Sequence, residues 1–177
     1  MRPAEALALC AGRGFSAGEV PMASLRFRQE IRAVCEENRC RNYGRSWACP
    51  PAVGTLEECR ARCLGYGSFL LLSRTYSLAD SWDFEAMGEA HRDFQRQIDG
   101  LDDALQASGA GSFLLLGNEG CIRCRACTWP DGPCRFPEKL HPSLEGFGFL
   151  VTELAAEAGL PYRAEGGLIF FGALLLS

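Results

Sequence analysis

Three cysteines at two-residue intervals constrain this chain more than any other feature of its sequence. Cys121, Cys124 and Cys127 are followed by Cys134, and the residues between Cys127 and Cys134 include two prolines and a glycine. Such residues favour a turn, so the segment can fold back and bring Cys134 close to the other three. Four thiols in one loop predict a metal centre, and residues 121–134 are called the C-terminal cysteine loop.

The spacing of these cysteines indicates an iron–sulfur cluster more than any other group. It matches the opening of the bacterial ferredoxin run, in which Cys-x-x-Cys-x-x-Cys is completed by a later cysteine. Zinc is the alternative, although structural zinc is usually held by two separated Cys-x-x-Cys pairs. Disulfides fit less well, because three cysteines so close in sequence cannot all pair locally.

A second group of cysteines lies earlier in the chain. Cys35, Cys40 and Cys49 surround a turn-rich segment, and Cys49 is followed directly by Pro50 and Pro51. Because proline fixes the backbone angle φ and donates no hydrogen bond, the chain should leave Cys49 in a stiff, extended conformation. These three cysteines predict a second metal site, and residues 35–49 are called the N-terminal cysteine segment.

The sequence leaves two candidates for the fourth ligand of that second site, and both are cysteines of one predicted helix. Thr55 and Glu58 form a capping-box pattern at the start of this helix, which carries Cys59 and Cys63 one turn apart. Cys59 is the first candidate and Cys63 the second. Both could instead be packing residues on the apolar face of the helix, since cysteine is often buried in cores.

Apolar runs and helical periodicity predict an α/β fold. The runs at 68–73, 112–117 and 168–176 have the length of strands, and they alternate with helices expected at 81–108 and 143–158. This order implies a small, mostly parallel sheet with flanking helices and two cysteine-rich metal-binding loops. In such sheets functional sites lie beyond the carboxyl ends of the strands, which is where the C-terminal cysteine loop begins.

Length, charge and apolar content limit the class of protein. The 177 residues suit one domain, predicted to span residues 1–177 with a weakly defined segment at 1–30. A net charge of −4 without clustered basic residues argues against a nucleic-acid partner. No apolar run has the length of a membrane span, and thiolates for metal need a reducing compartment, so a cytoplasmic location is expected.

Two motifs, taken together, resemble one known family. The first motif reads Cys-x-x-Tyr-Gly-x-x-Trp-x-Cys-Pro-Pro-x-Val-Gly, and the second joins Cys-x-x-Cys-x-x-Cys to Cys-Arg-x-Pro-Glu-Lys and Pro-Ser-x-Glu. In this combination the chain is similar to the domain of unknown function 2284, a family of predicted metal-binding proteins. The resemblance implies metal binding by Cys35, Cys40, Cys49, Cys121, Cys124, Cys127 and Cys134, with Cys59 at a position that the family often fills. It implies no particular reaction.

The hypothesis from the sequence is therefore an iron–sulfur protein with one or two 4Fe–4S clusters. Its expected function is one-electron transfer to a redox partner protein in anaerobic or low-potential metabolism. Two alternatives stay open, a cluster-dependent reductase that acts on a corrinoid or another cofactor and a zinc-stabilised interaction module. The sequence determines neither the oligomeric state nor whether the protein is an enzyme.

Overall fold

The computed structural model describes residues 1–80 and 82–177. Within this part of the chain, one sheet is flanked by helices on both faces. The regular elements are, in chain order, α1 (Pro3–Gly12), β1 (Ser16–Val20), α2 (Gln29–Glu36), α3 (Leu56–Leu64), β2 (Ser68–Ser77), α4 (Phe84–Ala107), β3 (Phe113–Leu116), α5 (Val151–Glu157) and β4 (Gly167–Leu176). Short 3-10 helices lie at Met22–Ser24, Pro137–Lys139 and Glu145–Phe147.

The four strands form one antiparallel sheet in the order β1-β2-β4-β3. β4 pairs with β2 over the full length of both strands, from Ser68 opposite Leu176 to Ser77 opposite Gly167. On its other side, the carboxyl-terminal part of β4 pairs with the shorter β3. β1 forms the outer edge beside β2. The last strand of the chain is thus one of the two central strands.

The prediction of a mostly parallel sheet is wrong. β2 and β3 do run in the same direction, as a strand–helix–strand unit predicts, but β4 inserts between them and runs opposite to both. Strand–helix–strand order does not tell whether a later strand will separate the two. The short β1 was not predicted either, because Ser16–Val20 mixes polar and small residues and buries only its last one.

The apolar runs are continuous because the sheet is buried on both faces. Successive side chains of a strand point to opposite faces, so Leu70 and Leu72 pack with α1 and α4, while Phe69 and Leu71 pack with α3 and α5. Continuous apolar strands are typical of parallel sheets covered by helices on both sides. Here the same burial occurs in an antiparallel sheet, which explains why the pattern favoured the wrong class.

The helix boundaries agree with the prediction in part. The capping box of α3 is confirmed, since the Glu58 N–H donates to Thr55 Oγ1 (3.2 Å) and the Thr55 N–H donates to the Glu58 carboxylate (2.7 Å). α4 begins at Phe84, and the predicted first residue, Ser81, lies outside the described residues. In residues 1–80 and 82–177, no helix has the length and apolar character needed to cross a membrane.

The helix predicted for residues 143–158 is much shorter in the structure. Gly148 has a φ of +78°, in the left-handed region, and separates a 3-10 turn from α5. Ser143 caps the turn, because its hydroxyl accepts the Gly146 N–H (3.1 Å). The interruption leaves Glu145 at the start of the short 3-10 helix, beside the N-terminal cysteine segment.

Candidate metal centres

All four cysteines of the C-terminal cysteine loop line one small cavity of about 20 Å³. The loop begins shortly after β3 and turns back through two hydrogen bonds. Thr128 Oγ1 donates to the Pro133 carbonyl (2.7 Å), and the Gly132 N–H donates to the Thr128 carbonyl (2.9 Å). These bonds form the turn that the prolines and glycine predict, and they place Cys134 with the other three cysteines.

The thiols of the C-terminal cysteine loop are free, and all four cysteines are half-buried. Burial raises the pKa of Cys121, and the neighbouring Cys124 and Cys134 raise it further, whereas the N–H and the charge of Arg123 oppose the shift. The Phe136 N–H points at Cys134 Sγ (3.5 Å). Metal binding here would release protons, since thiols ligate as thiolates.

A polar stripe on α4 holds the beginning of the loop. The Gln95 side chain donates to the Gly120 carbonyl (2.6 Å) and accepts the Ile122 N–H (3.1 Å). One turn further along α4, Asp99 forms an ion pair with Arg123, which lies between two of the cysteines. Side chains four residues apart share one helix face, so Gln95 and Asp99 both bind the loop from the same side.

The same helix also binds the segment that follows the C-terminal cysteine loop. Lys139 Nζ lies 2.6 Å from Asp102 and 2.7 Å from Asp103. The Asp102 side chain is only 3% exposed, so this is a largely buried charge that needs its partner. His141 Nε2 lies 3.2 Å from Asp99. Sequence analysis missed this network, although polar residues at 95, 99, 102 and 103 follow the helical repeat beside the apolar seam.

The electrostatics of Asp99 follow from these contacts. Burial disfavours its carboxylate, but the close contact with His141 and the charge of Arg123 outweigh that cost. The pKa of Asp99 is therefore lower than that of a free aspartate. At neutral pH the anchor is a negative charge on α4 that attracts the cationic side chain beside the cysteines.

Cys35, Cys40 and Cys49 line a second, much larger cavity, an open cleft of about 340 Å³. Cys35 lies in the last turn of α2, and the other two lie in the loop that follows. Cys49 Sγ is 3.6 Å from the Glu119 carbonyl and 4.0 Å from Ser143 Oγ. Burial raises the pKa of Cys35 to about 11 and that of Cys49 to about 12, so both thiols are protonated without metal.

Cys59 and Cys63 lie in the apolar core and do not line the cleft. Both are fully buried and belong to the cluster that α3 forms with the sheet and with α5. The Cys59 sulfur lies 3.5 Å from the Val53 carbonyl and 3.8 Å from the Arg32 guanidinium. This placement agrees with the packing interpretation of both cysteines, and a ligand role for Cys59 stays a prediction.

Two carboxylates line the cleft beside the three cysteines, and sequence analysis did not assign them to a site. Glu119 is exposed, and Glu145 is half-buried. Burial raises the pKa of Glu145, and the nearby Glu119 adds to the shift. The position of Glu145 in the motif Pro-Ser-x-Glu was the available signal. In the helix predicted for residues 143–158, however, this carboxylate would lie in the first turn, where the helix dipole already explains a negative charge.

The remaining wall of the cleft is mostly apolar. Its apolar side chains come from α2, from the segment before α5 and its first residue, and from the segment before β4, and they are Ile31, Val34, Phe149, Leu150, Val151 and Tyr162. Val34 is 54% exposed and Tyr162 is 48% exposed, so the wall faces solvent. A concave apolar surface of this size with a few polar groups is typical of a small-molecule site.

The donor set of the C-terminal cysteine loop suits a 4Fe–4S cluster, which is held by four cysteine thiolates. Among residues 1–80 and 82–177, no three Cys, His, Asp or Glu side chains converge closely enough to hold one metal ion. Structural zinc can also take four cysteines, but it usually takes them from two separated Cys-x-x-Cys pairs.

Comparison with protein families identifies the chain. The family model described as "Predicted metal-binding protein (DUF2284)" matches residues 18–176. The chain belongs to this family. The match confirms the resemblance seen in the motifs, and both cysteine groups lie within it. Comparisons with curated proteins and with solved structures found no match.

In this DUF2284 protein the two candidate centres are in contact. Trp47, from the N-terminal cysteine segment, donates its indole N–H to the Gly132 carbonyl (3.1 Å) and packs edge-on against Trp129 with ring centroids 4.7 Å apart. The Ser143 N–H donates to the Ala48 carbonyl (2.9 Å). The two cysteine-rich regions therefore contact each other directly.

Proposed function

We propose that this DUF2284 protein is a cytoplasmic iron–sulfur protein that transfers single electrons to a partner protein. The observation that carries the proposal is the C-terminal cysteine loop, whose four thiols surround one cavity and whose beginning is anchored to α4. Cysteine thiolates are the usual ligands of iron–sulfur clusters. The compact spacing of the four cysteines in sequence supports a cluster over zinc, which is usually held by two separated pairs.

Cys121, Cys124, Cys127 and Cys134 would hold one 4Fe–4S cluster, which supplies one-electron chemistry. The protein stabilises the charge of that donor set through its own groups. The N–H groups of Arg123 and Phe136 lie against the sulfur atoms of Cys121 and Cys134. Hydrogen bonds to the sulfur atoms raise the reduction potential of a cluster, so these contacts adjust the potential.

The surface beside the loop supports transfer to a partner protein. Ile122 and Phe136, which flank two of the cysteines, are 41% and 40% exposed. Exposed apolar side chains at a half-buried cluster site suit the transient contact that electron transfer needs. We propose a redox partner protein in anaerobic or low-potential metabolism.

A second function is favoured by the cleft. An electron carrier needs no cavity of about 340 Å³ beside its second set of cysteines, whereas an enzyme does. The second candidate is therefore a cluster-dependent reductase in which the C-terminal site delivers electrons and the N-terminal site meets a substrate, for example a corrinoid or another cofactor. Contact between the two regions through Trp47 supports this division.

The test is metal and acid-labile sulfide analysis of anaerobically purified protein, together with its visible spectrum. We expect about eight iron and eight sulfide per chain, that is, two 4Fe–4S clusters. About four of each would restrict the cluster to the C-terminal cysteine loop. Zinc without sulfide would overturn the proposal and leave a zinc-stabilised interaction module.

A further inference from the structure

We infer that Cys35, Cys40 and Cys49 hold a cluster with one coordination position open to the cleft, and that this position takes a small, mainly apolar molecule with one nitrogen, oxygen or sulfur donor atom. The inference rests on the proposed iron–sulfur function. It assigns a ligand site to the N-terminal centre and a chemical class to its ligand.

The number of thiols at the N-terminal centre supports an open coordination position. Three cysteines line the cleft, and the two cysteines of α3 that could complete a set of four point elsewhere. Cys59 Sγ faces the carbonyl oxygens of Val53 (3.5 Å) and Gly146 (3.9 Å) and is fully buried in the core. A 4Fe–4S cluster needs four ligands, so three thiols leave one iron position to another group.

The apolar wall of the cleft indicates the chemical class of the ligand. The cleft extends from the cysteines over an apolar wall that includes Val34, Phe149 and Val151. A molecule in contact with this wall would bury apolar surface at one end and approach the metal at the other. The volume of about 340 Å³ is at the small end of ligand pockets, so the ligand is small.

The C-terminal cysteine loop is the internal contrast. Its four thiols would complete a donor set, so a cluster there would have no iron position left for a further ligand. A molecule that coordinates iron should therefore perturb one of the two clusters and leave the other unchanged. This selectivity is what the experiment measures.

The experiment uses the reduced, cluster-loaded full-length protein with imidazole and with 4-phenylimidazole as probes. Nitrogen hyperfine coupling, recorded by electron–nuclear double resonance, reports coordination to the cluster directly. We expect coupling in one cluster signal, with 4-phenylimidazole binding about tenfold or more tightly than imidazole because its phenyl ring contacts the apolar wall. About eight iron without coupling from either probe would overturn this inference and leave the proposed function intact. Absence of iron would overturn both.

Glu119 and Glu145 are the competing fourth ligands, because both carboxylates line the same cleft. If either occupied the fourth position, the wild-type protein would show no nitrogen coupling and the corresponding glutamine variant would gain it, which overturns the inference. We expect coupling in the wild-type protein, in Glu119→Gln and in Glu145→Gln alike.

A pair of surface variants tests the apolar wall. Val34 lines the cleft and is 54% exposed, whereas Leu64, on α3, is 46% exposed and does not line it. We expect Val34→Glu to weaken 4-phenylimidazole binding by about fivefold or more, through lost apolar contact, and to leave imidazole binding unchanged. Leu64→Glu should change neither. Equal affinity of Val34→Glu and the wild-type protein for 4-phenylimidazole would overturn the assignment of the ligand to this cleft.

A second pair of variants tests the ligand count. Cys49→Ala should lose about four of eight iron atoms, while Cys59→Ala should keep about eight. Loss of about four iron atoms from folded Cys59→Ala would make Cys59 the fourth ligand and overturn the inference. Should Cys59→Ala fail to fold, nitrogen coupling in the wild-type protein decides the question.

Discussion

The two cysteine regions of this protein differ in how many thiols they contain and in what surrounds them. The C-terminal cysteine loop places four thiols around a cavity of about 20 Å³. Gln95 and Asp99 of α4 bind this loop, and two further aspartates of α4 bind Lys139, which follows it. The N-terminal cysteine segment brings three thiols to the edge of a cleft of about 340 Å³. The C-terminal region thus has four thiols and little free volume, whereas the N-terminal region has three thiols and an open cleft.

This difference teaches that the two regions suit different tasks. A donor set that is complete and has little free space suits a centre that changes only its charge, which is what electron transfer requires. A donor set that is one thiol short and faces an apolar cleft suits a centre that binds a further ligand. Trp47 joins the two regions through its contacts with Gly132 and Trp129.

The largest expected effect comes from removing one thiol from each region separately. Cys124→Ser and Cys49→Ser should each lose about half of the iron and sulfide if each region holds its own cluster, as we propose. Metal analysis measures this, and Cys10→Ala, which removes a buried cysteine of α1, should keep all the iron. If either serine variant lost all its iron, the two regions would share one centre and the comparison would fail.

The second prediction concerns the anchor at the end of the C-terminal cysteine loop. Asp102→Asn should lower the free energy of unfolding by about 2–4 kcal/mol, because it removes the buried partner of a charged Lys139. Asp103 also contacts Lys139 but its side chain is 71% exposed, so Asp103→Asn should cost less than about 1 kcal/mol. Urea unfolding followed by circular dichroism compares the two. Equal effects would show that burial of Asp102 does not matter to the anchor.

The third prediction is a pH dependence at Asp99. Its pKa is lower in the folded protein than in the unfolded chain, so its contribution to stability is present above the unfolded pKa of about 3.9 and is lost as the pH falls below it. Asp99→Asn should therefore lower the free energy of unfolding by about 1 kcal/mol at pH 7, with the difference shrinking toward pH 3. A difference that stayed constant with pH would assign the effect to packing and remove the ionic anchor.

The smallest expected effect concerns the contact between the two regions. Trp47→Phe removes the indole N–H that donates to the Gly132 carbonyl while keeping an aromatic ring against Trp129. We expect a loss of about 1 kcal/mol in unfolding free energy, the usual size of one hydrogen bond, with iron content unchanged. Loss of iron from both regions in this variant would show that the two sites depend on their contact.

Much of the candidate site could be predicted because it depends on residues close in sequence. The grouping of Cys121 with Cys124, Cys127 and Cys134 follows from short spacings and a turn, and the structure places these four around one cavity. The capping box of α3 and the positions of three strands are local in the same sense. The family match agrees with the motifs, since motifs are themselves local patterns.

The direction of the sheet, the burial of Cys59 and the polar stripe of α4 were decided by tertiary structure. β4 reaches its central place from the end of the chain, and nothing in its own apolar sequence specifies which strands it will pair with. Cys59 and Cys49 are both cysteines after turn-rich segments, and only packing makes one a core residue and the other a wall of the cleft.

By itself, then, the amino-acid sequence determined which thiols are close neighbours, and it predicts that they bind a metal. The tertiary structure decided which of them stand together in space, how many face a common cavity and how much room is left beside them. The physical reason is that spacing along the chain limits distances only over a few residues. Contacts between distant segments depend on the burial of apolar surface, which many sequence patterns satisfy equally well.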